Sequence, residues 1–189
     1  MNTPAHILVA LAALSRPASP RQNLAVAAGA FVPDLSIYVF FFWATGFTDF
    51  SMQQIWREVY WTEPWQTLGA ISNSVPLALV LLGLSLWKRS AVATAFSLAL
   101  LVHFALDFPL HADDAHRHFW PLSDWRFASP ISYWDGDHHG KLGAGLEYVA
   151  TLIASVFIWR RFQSKWVRIA IGVLALVQGA AFLARLFLR

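Results

Sequence analysis

The chain has 189 residues, of which 57% are hydrophobic and 13% charged, and it contains no cysteine. An average soluble domain has roughly 45–50% apolar and about 25% charged residues, so this composition excludes an ordinary soluble globule and indicates a polytopic membrane protein. The lack of cysteine excludes thiolate metal sites, thiol nucleophiles and disulfides. The net charge of +3 comes from short basic clusters between apolar runs, a pattern that does not favour nucleic-acid binding.

A short apolar run at residues 7–14 comes first and is too short to cross a bilayer. With Pro4 in its first turn, it predicts a half-helix that opens at Asn2 or Thr3. Five nearly uncharged stretches follow, each long enough to approach or cross a hydrocarbon core of about 30 Å. They cover residues 22–48, 64–87, 90–106 (continuing to Pro109), 142–159 and 169–184.

These stretches predict an all-α polytopic membrane bundle of about five spans plus the half-helix. Residues 1–189 form one integral membrane domain, with a Trp/His/Asp-rich loop at 110–141. Lys and Arg cluster in alternate connections, at 16–21, 88–89 and 160–168, which predicts that these face the cytoplasm and that the 110–141 loop faces the other side. Arg185 and Arg189 do not fit this pattern, since five spans would place them outside.

Ionisable side chains inside membrane spans are costly and usually functional. Four such residues are His6, Asp34, His103 and Glu147. Counting helical rise from the basic edge of each segment places all four about 15–21 Å from that edge, so they could meet in one layer. Pro33 predicts a break or kink in its helix, with Asp34 capping the second half.

The most informative local pattern is His103 followed by Asp107, because residues four apart share one helix face and can ligate one metal ion. Pro109 then ends the helix, and His111 follows toward the polar side. The density of His and Asp beyond this point suits a divalent ion such as zinc, manganese or iron. A structural alternative is that His103 and Asp107 only hydrogen-bond across helices.

The remaining polar residues also have structural interpretations. Glu147 could pair with Lys141 or His139 instead of acting at a metal. The loop acids Asp113, Asp114, Asp135 and Asp137 could simply be solvated, and the loop tryptophans could form an interfacial belt.

The motifs Pro4-Ala5-His6, Pro33-Asp34, His103-x-x-x-Asp107 and Pro109-x-His111 resemble those of small bacterial membrane-bound, metal-dependent hydrolases, which are similar in motif to zinc-dependent phospholipase C. The resemblance covers about half of the chain. It implies that His6, Asp34, His103 and Asp107 are metal ligands, with His111 as an additional one, in a bacterial inner-membrane protein. The family's second acid is Ser36 here, and its His-Arg…Thr-His segment is missing from residues 37–66, for which the run at 116–118 is a candidate replacement.

Together, these features predict metal-assisted hydrolysis of a phosphoester or phospholipid at a site on the non-cytoplasmic side, with membrane lipid as a partner. In this hypothesis Glu147 or Asp114 accepts a proton and Arg117 stabilises the developing charge. Two non-catalytic alternatives remain, which are a structural metal- or lipid-binding protein and a haem-binding bundle with His6 and His103 as axial ligands.

Overall fold

The computed structural model describes residues 1–187, and within this part of the chain the regular structure is entirely helical. The α-helices are α1 (Thr3–Leu14), α2 (Pro20–Phe47), α3 (Met52–Arg57), α4 (Glu63–Ser72), α5 (Val75–Trp87), α6 (Ala91–Asp107), α7 (Gly140–Arg161) and α8 (Lys165–Phe187). Single 3-10 turns lie at Val59–Trp61 and Gly136–His138. The predicted all-α class is therefore confirmed.

Four apolar segments are long enough to cross a membrane: α2, α4 together with α5, α7 and α8. The span predicted at 90–106 corresponds to α6, whose 17 residues rise about 26 Å, so it is a shorter apolar helix and is not among these four. The predicted half-helix is α1, which has 12 residues, has Asn2 as its N-cap residue and contains Pro4 in its first turn.

Two sequence-based expectations about helix breaks are wrong. Helix α2 continues through Pro33, so Asp34 is not an N-cap. The span predicted at 64–87 is present, but its helix ends at Ser72 and a new one starts at Val75, where the Ser74 hydroxyl caps it by accepting from the Leu77 N–H at 3.1 Å. The Pro33 carbonyl accepts a hydrogen bond from Ser72 Oγ at 3.1 Å, which fixes this break against α2.

Helix α1 lies at the centre of the bundle and contacts α2, α6, α7 and α8. Its residues Ala5, Leu8 and Ala10 are completely buried. The most extensive contact in the bundle joins α2 to α6, and Gly29 permits it, because a Cβ at this position would overlap the Phe96 carbonyl of α6. This contact places Asp34 on α2 beside His103 and Asp107 on α6.

The connection between α6 and α7 is ordered by hydrogen bonds to the break between α4 and α5. His118 Nδ1 donates to the Asn73 carbonyl at 3.0 Å, and the Val75 N–H donates to the His118 carbonyl at 2.8 Å. Ser74 Oγ also donates to the Trp120 carbonyl. The helix break and the long loop therefore stabilise each other.

Arg185, which did not fit the charge pattern, has a local explanation. Its guanidinium donates to the Tyr133 carbonyl at 3.1 Å and to Asn2 Oδ1 at 3.0 Å, and it lies 3.6 Å from Glu147 Oε2. Arg185 therefore connects α8 to the long loop and to the start of α1. Arg189 lies outside the described residues.

Candidate metal centre

Four of the predicted ligands, His6, Asp34, His103 and Asp107, come together between α1, α2 and α6. Each offers one ligand atom, and these atoms all lie within 4.8 Å of one another. Both histidines are completely buried and Asp107 is 1% exposed, whereas the Asp34 side chain is 18% exposed. We call these four residues the metal cluster.

The orientation of His103 suits metal ligation. Its Nδ1 lies 2.8 Å from the Ala30 carbonyl, which can only accept a hydrogen bond, so this nitrogen carries the proton. In the neutral ring the lone pair is therefore on Nε2, which lies 3.0 Å from Asp107 Oδ2 and 3.7 Å from Asp34 Oδ1. Nevertheless, Nε2 makes no hydrogen bond among the described residues. Metal-ligating histidines use a second-nitrogen contact of this kind to fix the ring and its tautomer.

His6 stacks on His103, with ring centroids 3.6 Å apart and planes 12° apart. Its Nε2 lies 2.9 Å from Asp107 Oδ1, and its buried Nδ1 has no hydrogen-bond partner in residues 1–187. The Asp107 carboxylate is the common contact of the cluster, since Oδ1 also accepts from the Met1 amino nitrogen at 2.5 Å.

A second group extends from Asp107 toward the long loop and contains His111 and His116. His111 Nε2 lies 3.2 Å from Asp107 Oδ1, and its Nδ1 is 2.9 Å from Asp114 Oδ2. Although burial acts in the opposite direction, the two carboxylates raise the pKa of His111 to about 9. Burial also opposes the shift at Asp114, where the hydrogen bond from His111 lowers the pKa to about 2. A metal ion at His111 would have to displace the bound proton.

The structure places the predicted catalytic residues differently. Asp114 orients His111 and also accepts from Trp134 Nε1 at 2.8 Å. Glu147 lies outside the metal cluster, where its Oε1 accepts from the Asn2 N–H at 2.5 Å and from Asn2 Nδ2 at 2.9 Å. Its basic partner is Arg185, rather than Lys141 or His139, which the structural alternative named.

Arg117 also lies away from the metal cluster. It is paired with Glu63 at 3.0 Å and Asp124 at 3.2 Å and donates to Thr67, which attaches the long loop to α4. We therefore interpret Arg117 as a structural residue rather than the predicted charge-stabilising one.

A third possible ligand group, Asp113, Asp135 and His138, lies at the surface of the loop. His138 Nδ1 donates to Asp135 Oδ2 at 2.6 Å, and Asp135 also caps the 3-10 turn by accepting from the Asp137 N–H. These hydrogen bonds explain the cluster as a turn motif.

A cavity of about 460 Å³ is lined by Asp34 of the metal cluster and by His111 and His116 of the second group. Asp34, His111, Asp114 and His116 lie at its polar part, and Ile37, Phe41, Val177 and Ala181 contribute apolar wall. Gln178 also lines it, 1% exposed, with an Oε1 that has no hydrogen-bond partner among the described residues. Sequence reasoning missed Gln178, although an amide inside an otherwise apolar span is a recognisable signal.

The donor set fits a divalent cation. Two imidazoles and two carboxylates suit zinc, manganese or ferrous iron, and two positive charges would offset the charges of the two carboxylates. Ligands about 2.0–2.2 Å from one zinc ion lie roughly 3.4 Å apart. On binding, the contacts of Asp107 with His6 and His103, at 2.9 and 3.0 Å, would therefore lengthen, and the more distant ligand atoms, up to 4.8 Å apart, would draw together.

In comparisons with known proteins, no family model matches the chain, and no curated protein or solved structure is significantly similar to it. Proposals about function therefore depend on the geometry described above.

Proposed function

We propose that this chain is a metal-dependent phosphoesterase of a bacterial inner membrane, and that its substrate is a phospholipid. The observation that supports this most directly is the meeting of His6, Asp34, His103 and Asp107, whose ligand atoms all lie within 4.8 Å of one another, with the His103 ring fixed by the Ala30 carbonyl. We assign His6, Asp34, His103 and Asp107 as ligands of one ion, with His111 as the additional ligand.

A bound divalent ion would lower the pKa of a coordinated water and polarise a phosphoryl oxygen. Among the protein's own groups, we assign Asp114 as the proton acceptor because it lines the cavity and its Oδ1 has no hydrogen-bond partner in residues 1–187. With its pKa lowered to about 2, Asp114 is ionised at neutral pH and can accept a proton, but it is a weak base that would pass the proton on rather than retain it. We assign Arg185 to the phosphoryl charge in place of Arg117, because Arg185 lines an adjoining cavity together with Asp114 and Tyr133. In this role Arg185 would have to exchange its contact with Glu147, at 3.6 Å, for the substrate.

The shape of the cavity supports a lipid substrate. Its apolar wall comes from α2 and α8, which do not pack extensively against each other in the described part of the chain. Tyr38 and Val177, one from each helix, line the cavity and are 38% and 52% exposed. A phospholipid could therefore enter sideways between α2 and α8, with its phosphate at the ligands and its acyl chains along the apolar wall.

The stacking of His6 on His103 favours a metal ion over haem. Axial ligands of one haem must lie on opposite faces of the macrocycle, whereas these rings are in direct contact. A measurement of turnover by metal-loaded protein separates the proposed hydrolase from the non-catalytic metal-binding alternative. The orientation proposed from the positive charges places the cavity on the non-cytoplasmic side.

The test measures bound metal and turnover on the same preparations. Purified protein loaded with zinc, manganese or iron is incubated with phospholipid in mixed micelles and, separately, with a soluble phosphodiester, and products are followed by ³¹P NMR. We expect metal-dependent cleavage of the phospholipid and much slower cleavage of the soluble ester. Metal-loaded protein that is silent on both would leave the structural metal-binding function.

Asp114→Asn and Glu147→Gln separate the two candidate proton acceptors. We expect both variants to keep their metal, and Asp114→Asn to lose about 10²–10⁴-fold in turnover, as is typical for a general base. A comparable loss in Glu147→Gln with normal activity in Asp114→Asn would reverse the assignment.

A further inference from the structure

The end of the bundle farthest from the long loop is exclusively basic. The three connections at residues 15–23, 87–91 and 159–168 contain eight Lys and Arg residues and no Asp or Glu. All eleven acidic residues of the chain lie elsewhere, within 34–63, 107–137 and at Glu147. The positive charges at this end are therefore not neutralised by nearby carboxylates of the protein, and they attract anions.

A cavity of about 560 Å³ opens at this end, where α1 ends, α6 begins and α7 ends. Arg16, Arg89 and Arg161 line it, while Leu14, Leu86 and Leu98 contribute apolar wall. No acidic side chain is among its lining residues in the described part of the chain. We call this the basic cavity.

Local contacts fix the side chain of Arg161 and the backbones of Arg16 and Arg89. Arg161 Nη1 donates to the Ser15 carbonyl at 2.8 Å and to the Leu11 carbonyl at 3.4 Å, so it binds the carboxyl end of α1. The Arg16 backbone exchanges two hydrogen bonds with the Asn23 side chain, at 2.8 and 2.7 Å. Arg89 adopts a left-handed conformation, φ 52°, and its N–H donates to the Leu86 carbonyl.

The guanidinium groups of Arg16 and Arg89 have neither an ion pair nor a hydrogen bond among residues 1–187. Arginine prefers bidentate contacts with phosphate oxygens, and basic pockets between membrane helices on the cytoplasmic side bind anionic headgroups. The apolar wall beside these cations distinguishes a lipid from a free anion, because only a lipid has acyl chains to cover it.

We propose that the basic cavity binds the phosphodiester headgroup of an anionic phospholipid, such as phosphatidylglycerol, with Arg16, Arg89 and Arg161 as its contacts. This site lies at the opposite end of α1 from the metal cluster and is independent of the proposed hydrolysis. A bound lipid would cover the carboxyl end of α1 and hold the short helix at its depth in the bundle.

The test is native mass spectrometry of the full chain in neutral detergent, together with thermal unfolding, after addition of phosphatidylglycerol, phosphatidylcholine or inorganic phosphate. We expect phosphatidylglycerol alone to form a retained one-to-one adduct and to raise the unfolding temperature. The double variant Arg16→Gln/Arg89→Gln should bind about 30-fold more weakly, since each cation near the membrane surface contributes roughly fivefold.

The matched control is Arg21→Gln/Arg160→Gln, which removes the same charge from the same end at residues that do not line the basic cavity. It should retain the adduct, and both double variants should keep their zinc content. If the first double variant does not fold, Arg16→Gln alone provides the measurement. Equal weakening by both double variants would overturn the proposal in favour of diffuse surface charge, and an equal effect of inorganic phosphate would overturn the assignment to a lipid.

Discussion

Asp107→Asn is the most sensitive test of the metal cluster, because this carboxylate contacts both buried histidines of the cluster as well as His111. Structural zinc sites bind with an apparent free energy of roughly 10–16 kcal/mol at pH 7. If this binding free energy is divided equally among four ligands, the loss of one ligand costs about 2.5–4 kcal/mol. We therefore expect zinc affinity to fall about 10²–10³-fold, while the shape of the side chain is preserved.

The assay is zinc content after gel filtration in detergent, followed by competition with a chelator. The parent should retain about one equivalent and Asp107→Asn well below one tenth, as should His103→Gln. Ser97→Ala is the matched control, since Ser97 is also a buried polar residue of α6 but its hydroxyl donates only to Ala93 within the helix, at 2.9 Å. It should bind zinc normally. Full zinc content and unchanged affinity in both Asp107→Asn and His103→Gln would refute the cluster as a metal site.

Three further predictions concern the structure around the site. Gly29→Ala should destabilise the protein by about 1–3 kcal/mol in thermal unfolding and weaken zinc binding, because the new Cβ would push α2 away from α6. Gly46→Ala is the control on the same helix, because its Cβ would enter open space. It should stabilise the protein by up to about 1 kcal/mol in the same measurement. Ser74→Ala should destabilise the protein by about 2 kcal/mol in thermal unfolding, and Ser90→Ala by only about 1 kcal/mol. Both serines cap a helix, but only Ser74 also donates to the loop, at the Trp120 carbonyl. Equal effects of the two variants would contradict a stabilising role for the Ser74–loop hydrogen bond. Cysteines at the exposed positions Lys88 and Leu122 should react with an impermeant thiol reagent from opposite sides of the membrane, and labelling of both from one side would contradict the proposed orientation.

Most of the metal cluster could be predicted from the sequence, because the depth and helix face of its residues follow from spacings within single segments. His103 and Asp107 share a helix face by spacing alone, and helical rise from the basic edges placed His6, Asp34 and His103 at similar depths. Glu147 was assigned to the same layer, but depth does not specify direction around a helix axis. Its carboxylate instead contacts Asn2 and Arg185, residues far away in sequence.

The break between α4 and α5 was missed for a different reason. Residues 64–87 are uninterrupted by charge, so hydropathy favoured one continuous span. The local signal was present, because Ser74 followed by Pro76 is typical of a helix start. What could not be predicted is that the Pro33 carbonyl of another helix would stabilise the break. The pairing of His111 with Asp114 likewise depends on how the loop folds after Pro109.

The central position of α1 has a consequence for biosynthesis. This helix is too short to span a bilayer and contains the buried His6, so its insertion into the membrane on its own during synthesis is unfavourable. Asn2 contacts Glu147 and Arg185, residues that are made 145 and 183 positions later. Helix α1 therefore reaches its final place only after α7 and α8, which follow it in the chain, have been synthesised.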